Sequence, residues 1–227
     1  MSARYDQDMQ AKSSSTLLRV LTVLAALLVC KVTVNVVMEY RNYLPPNFES
    51  DFLRGRESYF WGGYHWAFYT HLAASPAALL LGTLLVSDRF RSFTPRWHRR
   101  LGRIQVACVL LLVVPSGLGM AWYAASGAIA AAGLGTLAVA TAACITLGWR
   151  AAVARRFTDH RRWMWRCYLL LCSAVVIRMI GGLATVMQFD AHWVAPLSPW
   201  ASWVIPLLVY ESIRYLNPPI TRVAARV

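Results

Sequence analysis

The sequence predicts an all-α integral membrane protein, a bundle of six transmembrane helices with a four-helix core. Three observations predict it. Of 227 residues, 58% are hydrophobic and 15% charged, whereas a soluble domain carries about a quarter charged residues. Apolar stretches of about 20 residues, the length that crosses a bilayer, recur along the chain. The arginines gather in alternate connections between those stretches, the pattern that orients membrane proteins.

The elements follow in order. Residues 1–16 form a polar tail with a serine run, and residues 17–38 a first span. That stretch is too long for a signal-peptide core and no small-residue cleavage site follows it, so it reads as retained. The second span covers about residues 64–86. Arg103 to Arg150 holds no charged residue between its ends. This interval accommodates two spans, about 101–123 and 128–149, joined by a turn at Ser126-Gly127. The fifth span covers about 163–187 and the sixth about 200–216, followed by a short basic tail, 217–227. Pro76, Pro115 and Pro206 fall inside spans, where membrane helices tolerate them as kinks.

The net charge is +13. Its placement explains it. Arg89, Arg91, Arg96, Arg99, Arg100 and Arg103 follow span two, and Arg150, Arg155, Arg156, Arg161, Arg162 and Arg166 follow span four. These connections share a side with Lys12, Arg222 and Arg226 of the tails. The turn at Gly127 and the loop around Asp190-His192 hold no basic residue. The positive-inside rule therefore puts both termini in the cytoplasm. Tyr59, Phe60, Trp61, Tyr64 and Trp66 gather at one membrane face, and Trp97, Trp149, Trp163 and Trp165 at the other, as an interfacial belt requires. No soluble basic module is present, so no nucleic acid is expected as a partner. The preference for arginine over lysine, 21 against 2, and the many alanines point to a GC-rich bacterial genome and an inner (plasma) membrane. Cys30, Cys108, Cys144, Cys167 and Cys172 all lie in apolar stretches and read as packing residues.

The two basic connections resemble each other. Phe93-Thr94 followed by His98-Arg99-Arg100 matches Phe157-Thr158 followed by His160-Arg161-Arg162, each at the mouth of a helix. Spans two and three, and spans four and five, thus read as related hairpins, with His98 and His160 in equivalent positions.

His71, the string Trp97-His98-Arg99-Arg100-Leu101-Gly102-Arg103, the string His160-Arg161-Arg162-Trp163-Met164 with Arg166 and Tyr168, Arg178, and Trp203 with Glu211 carry a family resemblance. Over roughly residues 64–214 the chain resembles DUF2306, a family of uncharacterised multi-pass membrane proteins. The resemblance implies the fold and a set of residues, and brings no activity.

Ionisable groups inside a bilayer are costly and face the bundle interior or a cavity. Lys31, His71, Arg178 and Glu211 lie within the expected spans. Counting about 1.5 Å per residue puts His71 and Arg178 at similar depths in the outer half, with Lys31 near them and Asn35 one turn further out. Small residues flank both: Ala67, Ala74, Ser75 and Ala78 about His71, and Ala174, Gly181 and Thr185 about Arg178. These five residues, Lys31, Asn35, His71, Arg178 and Glu211, are the candidates for an intramembrane ligand pocket. Its occupant would be a quinone, a lipid head or a small anionic molecule. The competing structural reading has Arg178 bonding backbone carbonyls, Lys31 snorkelling, and Glu211 pairing with Arg214 one turn on.

A b-type haem needs axial imidazoles from facing helices. His98 and His160 could supply them, and Arg99, Arg100, Arg161 and Arg162 could pair with the propionates. This is similar to the cytoplasmic-side site of cytochrome b561-type four-helix cores. Those cores usually carry a second histidine pair, linking what are here spans two and four; here span two has His71 but span four has no histidine, leaving one such site at most. No GxSxG, HExxH or Walker motif occurs, so the sequence leaves open whether the protein is an enzyme. The expectation is a membrane-embedded binding or redox component. The alternatives are a single-haem electron-transfer protein, a small-solute transporter, or a structural subunit with membrane partner subunits.

Overall fold

The computed structural model describes residues 2–189 and 191–216, with side chains described from residue 20 onward; Asp190, Arg222 and Arg226 lie outside the described residues, as does the side chain of Lys12. Among the described residues the fold is helical without strands. Six long rods organise it: α1 (Ser2–Met38), α2 (Glu57–Leu85), α3 (Pro95–Trp122), α4 (Gly127–Val153), α5 (Phe157–Val186) and α6 (Val194–Leu216). Five stretches, Val20–Asn42 and the whole of α2 to α5, are long and apolar enough to cross a membrane. The sixth rod, α6, has 23 residues, but its Pro, Trp and Ser content makes it less apolar. The count of spans is thus five by apolarity, and six only if α6 also crosses. Large apolar side chains such as Leu111, Val153, Leu183 and Ile205 are exposed around the bundle, as a lipid-facing surface requires.

Contacts close α2, α3, α4 and α5 into a ring: α2 on α3, α3 on α4, α4 on α5 and α5 on α2. α1 packs on α2 and the far half of α5, and α6 packs on α4 and α5. The ring is drawn tight by small residues. On α2, Ala74, Ala78 and Gly82 recur every fourth residue and are buried. A Cβ on Gly119 would stand 2.8 Å from the Cβ of Ala67, so α2 and α3 nearly touch backbones there. On α4, Gly148 faces Met164 and Trp163, and Gly133 faces the Trp200 indole, whose Nε1 donates to the Ile129 carbonyl at 2.9 Å.

The connections obey local chemistry. α2 and α3 are joined through a short helix, Asp88–Phe93, capped by Ser87, and Pro95 opens α3 at a position where no N–H is needed. Gly127 turns α3 into α4 with φ +85°, a conformation that costs glycine nothing. The helices run further than the apolar stretches alone indicate. α3 starts at Pro95 rather than near residue 101, and α5 at Phe157 rather than near 163, because their arginine-rich first turns are amphipathic and helical. α3 widens into a π-turn at Val109–Val113 just before Pro115, which absorbs the hydrogen bond that proline cannot donate. α5 breaks briefly at Cys172.

At the end away from the two basic connections, the segment between α1 and α2 folds into an aromatic cap that carries Arg41, Arg54 and the buried Arg56. Leu53, Phe60, Tyr64 and Phe68 are fully buried in it. The Tyr69 hydroxyl donates to the Tyr43 carbonyl at 2.9 Å and the Tyr40 hydroxyl to the Leu72 carbonyl at 2.6 Å, fastening the cap to α2. Gly62 and Gly63 leave the helical region, letting the chain bend from the cap into the bundle.

Candidate functional site

Among the described residues, two cavities along the bundle hold candidate side chains. The first, of about 410 Å³, sits beneath the aromatic cap between α1, α2, α3, α4 and α5, with Ser202 of α6 on its lining. Its walls are mainly Val, Leu, Ala and Phe, and its polar groups are His71, Ser75, Thr33, Tyr40, Tyr43, Glu39 and Arg178, with the hydroxyls of Thr141, Ser173 and Ser202.

The arrangement about His71 assigns its tautomer. The Ser116 hydroxyl, in the turn after Pro115, donates its single hydrogen to the Leu112 carbonyl at 2.5 Å. Its oxygen also lies 3.1 Å from His71 Nδ1, so it accepts there and Nδ1 carries the proton. Nε2 is left with its lone pair. The ring packs over Gly117, where a Cβ would come within 3.4 Å of it. One turn along α2, the Ser75 hydroxyl oxygen is buried without a partner among the described residues.

Arg178, exposed on the far half of α5, reaches the rim of the same cavity. One of its N–H groups donates to the Ala174 carbonyl one turn back, at 2.9 Å, and among the described residues no carboxylate lies within salt-bridge distance. Its charge is felt by the tyrosines. Burial pushes the Tyr43 phenol above its ordinary value, Glu39 adds to the rise, and Arg178 opposes it.

The structure thus brings His71 and Arg178 to one cavity and leaves the other three candidates outside it. Val29, Thr33, Val36 and Tyr40 mark the α1 face turned to the bundle, while Lys31 and Asn35 fall on the opposite, exposed face of the same helix. Glu211 lies elsewhere, on α6, and its partner is not Arg214. Arg166 of α5 takes it instead, through Nε–Oε1 at 2.6 Å and Nη2–Oε2 at 3.1 Å, while Arg214 turns to the Tyr210 hydroxyl at 3.4 Å. Tyr40, Tyr43, Ser75, Thr141, Ser173 and Ser202 complete the cavity's polar lining, with Ser116 held behind His71. The signals were a tyrosine seven residues after Thr33, and single hydroxyls in otherwise apolar spans.

The second cavity, of about 500 Å³, opens at the arginine-rich end. His98 and His160 both line it, each the fourth residue of its helix, the equivalence that the repeated Phe-Thr and His-Arg-Arg strings suggest. His160 Nδ1 donates to the Gly148 carbonyl at 2.8 Å, which leaves Nε2 as its free atom, the orientation of a metal-bound imidazole. His98 Nδ1 is buried and unpartnered among the described residues. Arg99 and Arg161 line this cavity, joined by Arg91 and Arg103. Arg100 instead lies over the Trp97 ring at 5.6 Å, and Arg162 faces Asp159 at 3.8 Å. Two imidazoles and two of the four arginines expected around a haem therefore meet here. Among the described residues no group of three or more His, Cys, Asp or Glu side chains is placed to hold a metal ion.

The sequence model of DUF2306, described as a predicted membrane protein, matches residues 68–213. The chain belongs to the DUF2306 family. The DUF2306 match runs from the cavity-lining Phe68 to the last turns of α6, so it contains His71, Arg178 and the whole of the second cavity, and it leaves out α1 and most of the cap. No curated protein and no solved structure matches the chain significantly.

Proposed function

We propose that this DUF2306 protein is a membrane-embedded binding protein whose first cavity holds a small lipophilic molecule with an anionic or carbonyl head group, a quinone or a carboxylate. One observation carries the reading: Arg178, a cation at membrane depth without a carboxylate partner among the described residues, lines an apolar cavity together with His71. A guanidinium costs about 2.5–3.5 kcal/mol at the bilayer centre and less toward the interface, and an anionic head group would offset whatever part of that cost Arg178 bears. The cavity is within the ordinary range for small-molecule sites, about 300–1,000 Å³. Arg178 supplies charge and N–H donors, His71 Nε2 an acceptor, and the cap tyrosines close the mouth. The protein sits in a bacterial inner membrane with both termini cytoplasmic and the first cavity toward the outer leaflet, by the distribution of arginines.

The test uses purified protein in nanodiscs and a dansylated undecanoate as probe. Arg178→Ala should weaken binding at least tenfold while the melting temperature stays within about two degrees. Equal affinity in both proteins, or a parallel collapse of folding and binding, would sink the reading in favour of a structural network. The electron-transfer alternative has in its favour that His98 and His160 share one cavity. An absorption spectrum before and after dithionite decides it: a reduced α-band supports haem, and colourless protein from haem-replete cells removes it.

A further inference from the structure

The second cavity has a charge pattern of its own. Four arginines, Arg91, Arg99, Arg103 and Arg161, line it against a single carboxylate, Asp88. Asp88 is already shared: its two oxygens take Arg91 at 2.9 Å and Arg161 at 2.5 Å. Arg99 and Arg103, one turn apart on α3, have no carboxylate within 4.0 Å among the described residues. Like charges at that spacing repel, so an anion between them is favoured. The N-termini of α3 and α5 both open here, adding the positive ends of two helix dipoles. The deeper wall is mostly apolar, through Val106, Cys167 and Leu171, with Gln105 and Tyr168 among them, and Trp149 and Trp165 stand on the lining at the level of the interfacial belt.

We propose that this cavity binds a phosphate-bearing head group, that of an anionic phospholipid from the adjoining leaflet. Arg99 and Arg103 hold the phosphate, and the apolar wall takes the start of the acyl chains. The shared chemistry is the phosphate; the apolar wall and the tryptophans select a lipid over the free ion. The site is separate from the Arg178 cavity and stands or falls independently of it.

The full chain is reconstituted in nanodiscs of phosphatidylcholine doped with phosphatidylglycerol, extracted in detergent, and its retained lipid measured by mass spectrometry. Wild type should enrich phosphatidylglycerol about tenfold over its share of the bilayer. R99A/R103A should abolish the enrichment. R100A/R162A, which removes the same charge from the same end but not from the cavity lining, should keep it. D88N, which frees Arg91 and Arg161, should raise it. All variants are compared at matched melting temperature, and R99K/R103K, which keeps the charge, should retain part of the enrichment if the alanine pair fails to fold. Several results would overturn the assignment: no enrichment in wild type, equal loss in the two alanine pairs, or a fall in D88N. Stabilisation by inorganic phosphate alone, with no lipid enrichment, would overturn the lipid source. A haem spectrum that disappears in His98→Ala would show the cavity already filled.

Discussion

Arg166 and Glu211 clasp each other through two parallel bonds, Nε–Oε1 at 2.6 Å and Nη2–Oε2 at 3.1 Å, tying α5 to α6 in the half of the bundle nearer the arginine-rich end. The guanidinium also lies 4.5 Å from the centroid of the Trp163 ring. A bidentate pair of this kind is charge-assisted and geometrically specific.

Removing one partner leaves the other charge unmatched, and because Glu211 is partly exposed the cost is that of a well-formed but solvent-accessible pair. Glu211→Ala should destabilise the protein by about 0.5–1.5 kcal/mol, and R166A/E211A by less than the sum of the single changes. Thermal denaturation of the four proteins in one detergent measures the coupling; additive losses would show that the pair contributes nothing as a pair.

The α2–α3 contact gives a second expectation. Gly119→Ala forces a methyl against the Ala67 Cβ, only 2.8 Å away, and neither atom can swing aside. The cost should be about 1–3 kcal/mol. Gly135→Ala in α4, with nothing within 4 Å, should instead be neutral or stabilise by up to about 1 kcal/mol. Melting temperatures that rank the two variants the other way would contradict the packing described.

Ser116 orients His71 without facing a ligand through its own hydrogen. Ser116→Ala should leave the fold intact and weaken the dansylated undecanoate by about two- to tenfold, the worth of one hydrogen bond. Nitrogen-15 spectra of His71 provide an independent readout: the variant should lose the Nδ1-protonated tautomer's dominance. An unchanged tautomer with unchanged affinity would remove His71 from the site.

Lys31 and Asn35 test the placement of α1. Both lie on its exposed face, so Lys31→Ala and Asn35→Ala should leave probe affinity within about twofold of wild type. A large loss in either would mean that α1 is rotated relative to the cavity.

Much of this architecture was legible in the sequence because a bilayer imposes lengths. The turn at Gly127 and the α3–α4 pair follow directly from a long uncharged interval. Depth was legible too, since rise per residue brings His71 and Arg178 level, and they do share a cavity. Direction was not. Depth alone grouped Lys31 with them, whereas the helical period of Thr33, Val36 and Tyr40 turns it away. Glu211 shows a second limit: its nearest basic neighbour in sequence is Arg214, but its partner comes from another helix, 45 residues earlier. The amphipathic first turns of α3 and α5 were hidden because hydropathy ends where the arginines begin, though the helices do not.

Leu171, at the joint where α5 breaks before Cys172, is wall to both cavities. One side chain thus serves as a party wall, so a change of its volume alters the room on both sides at once.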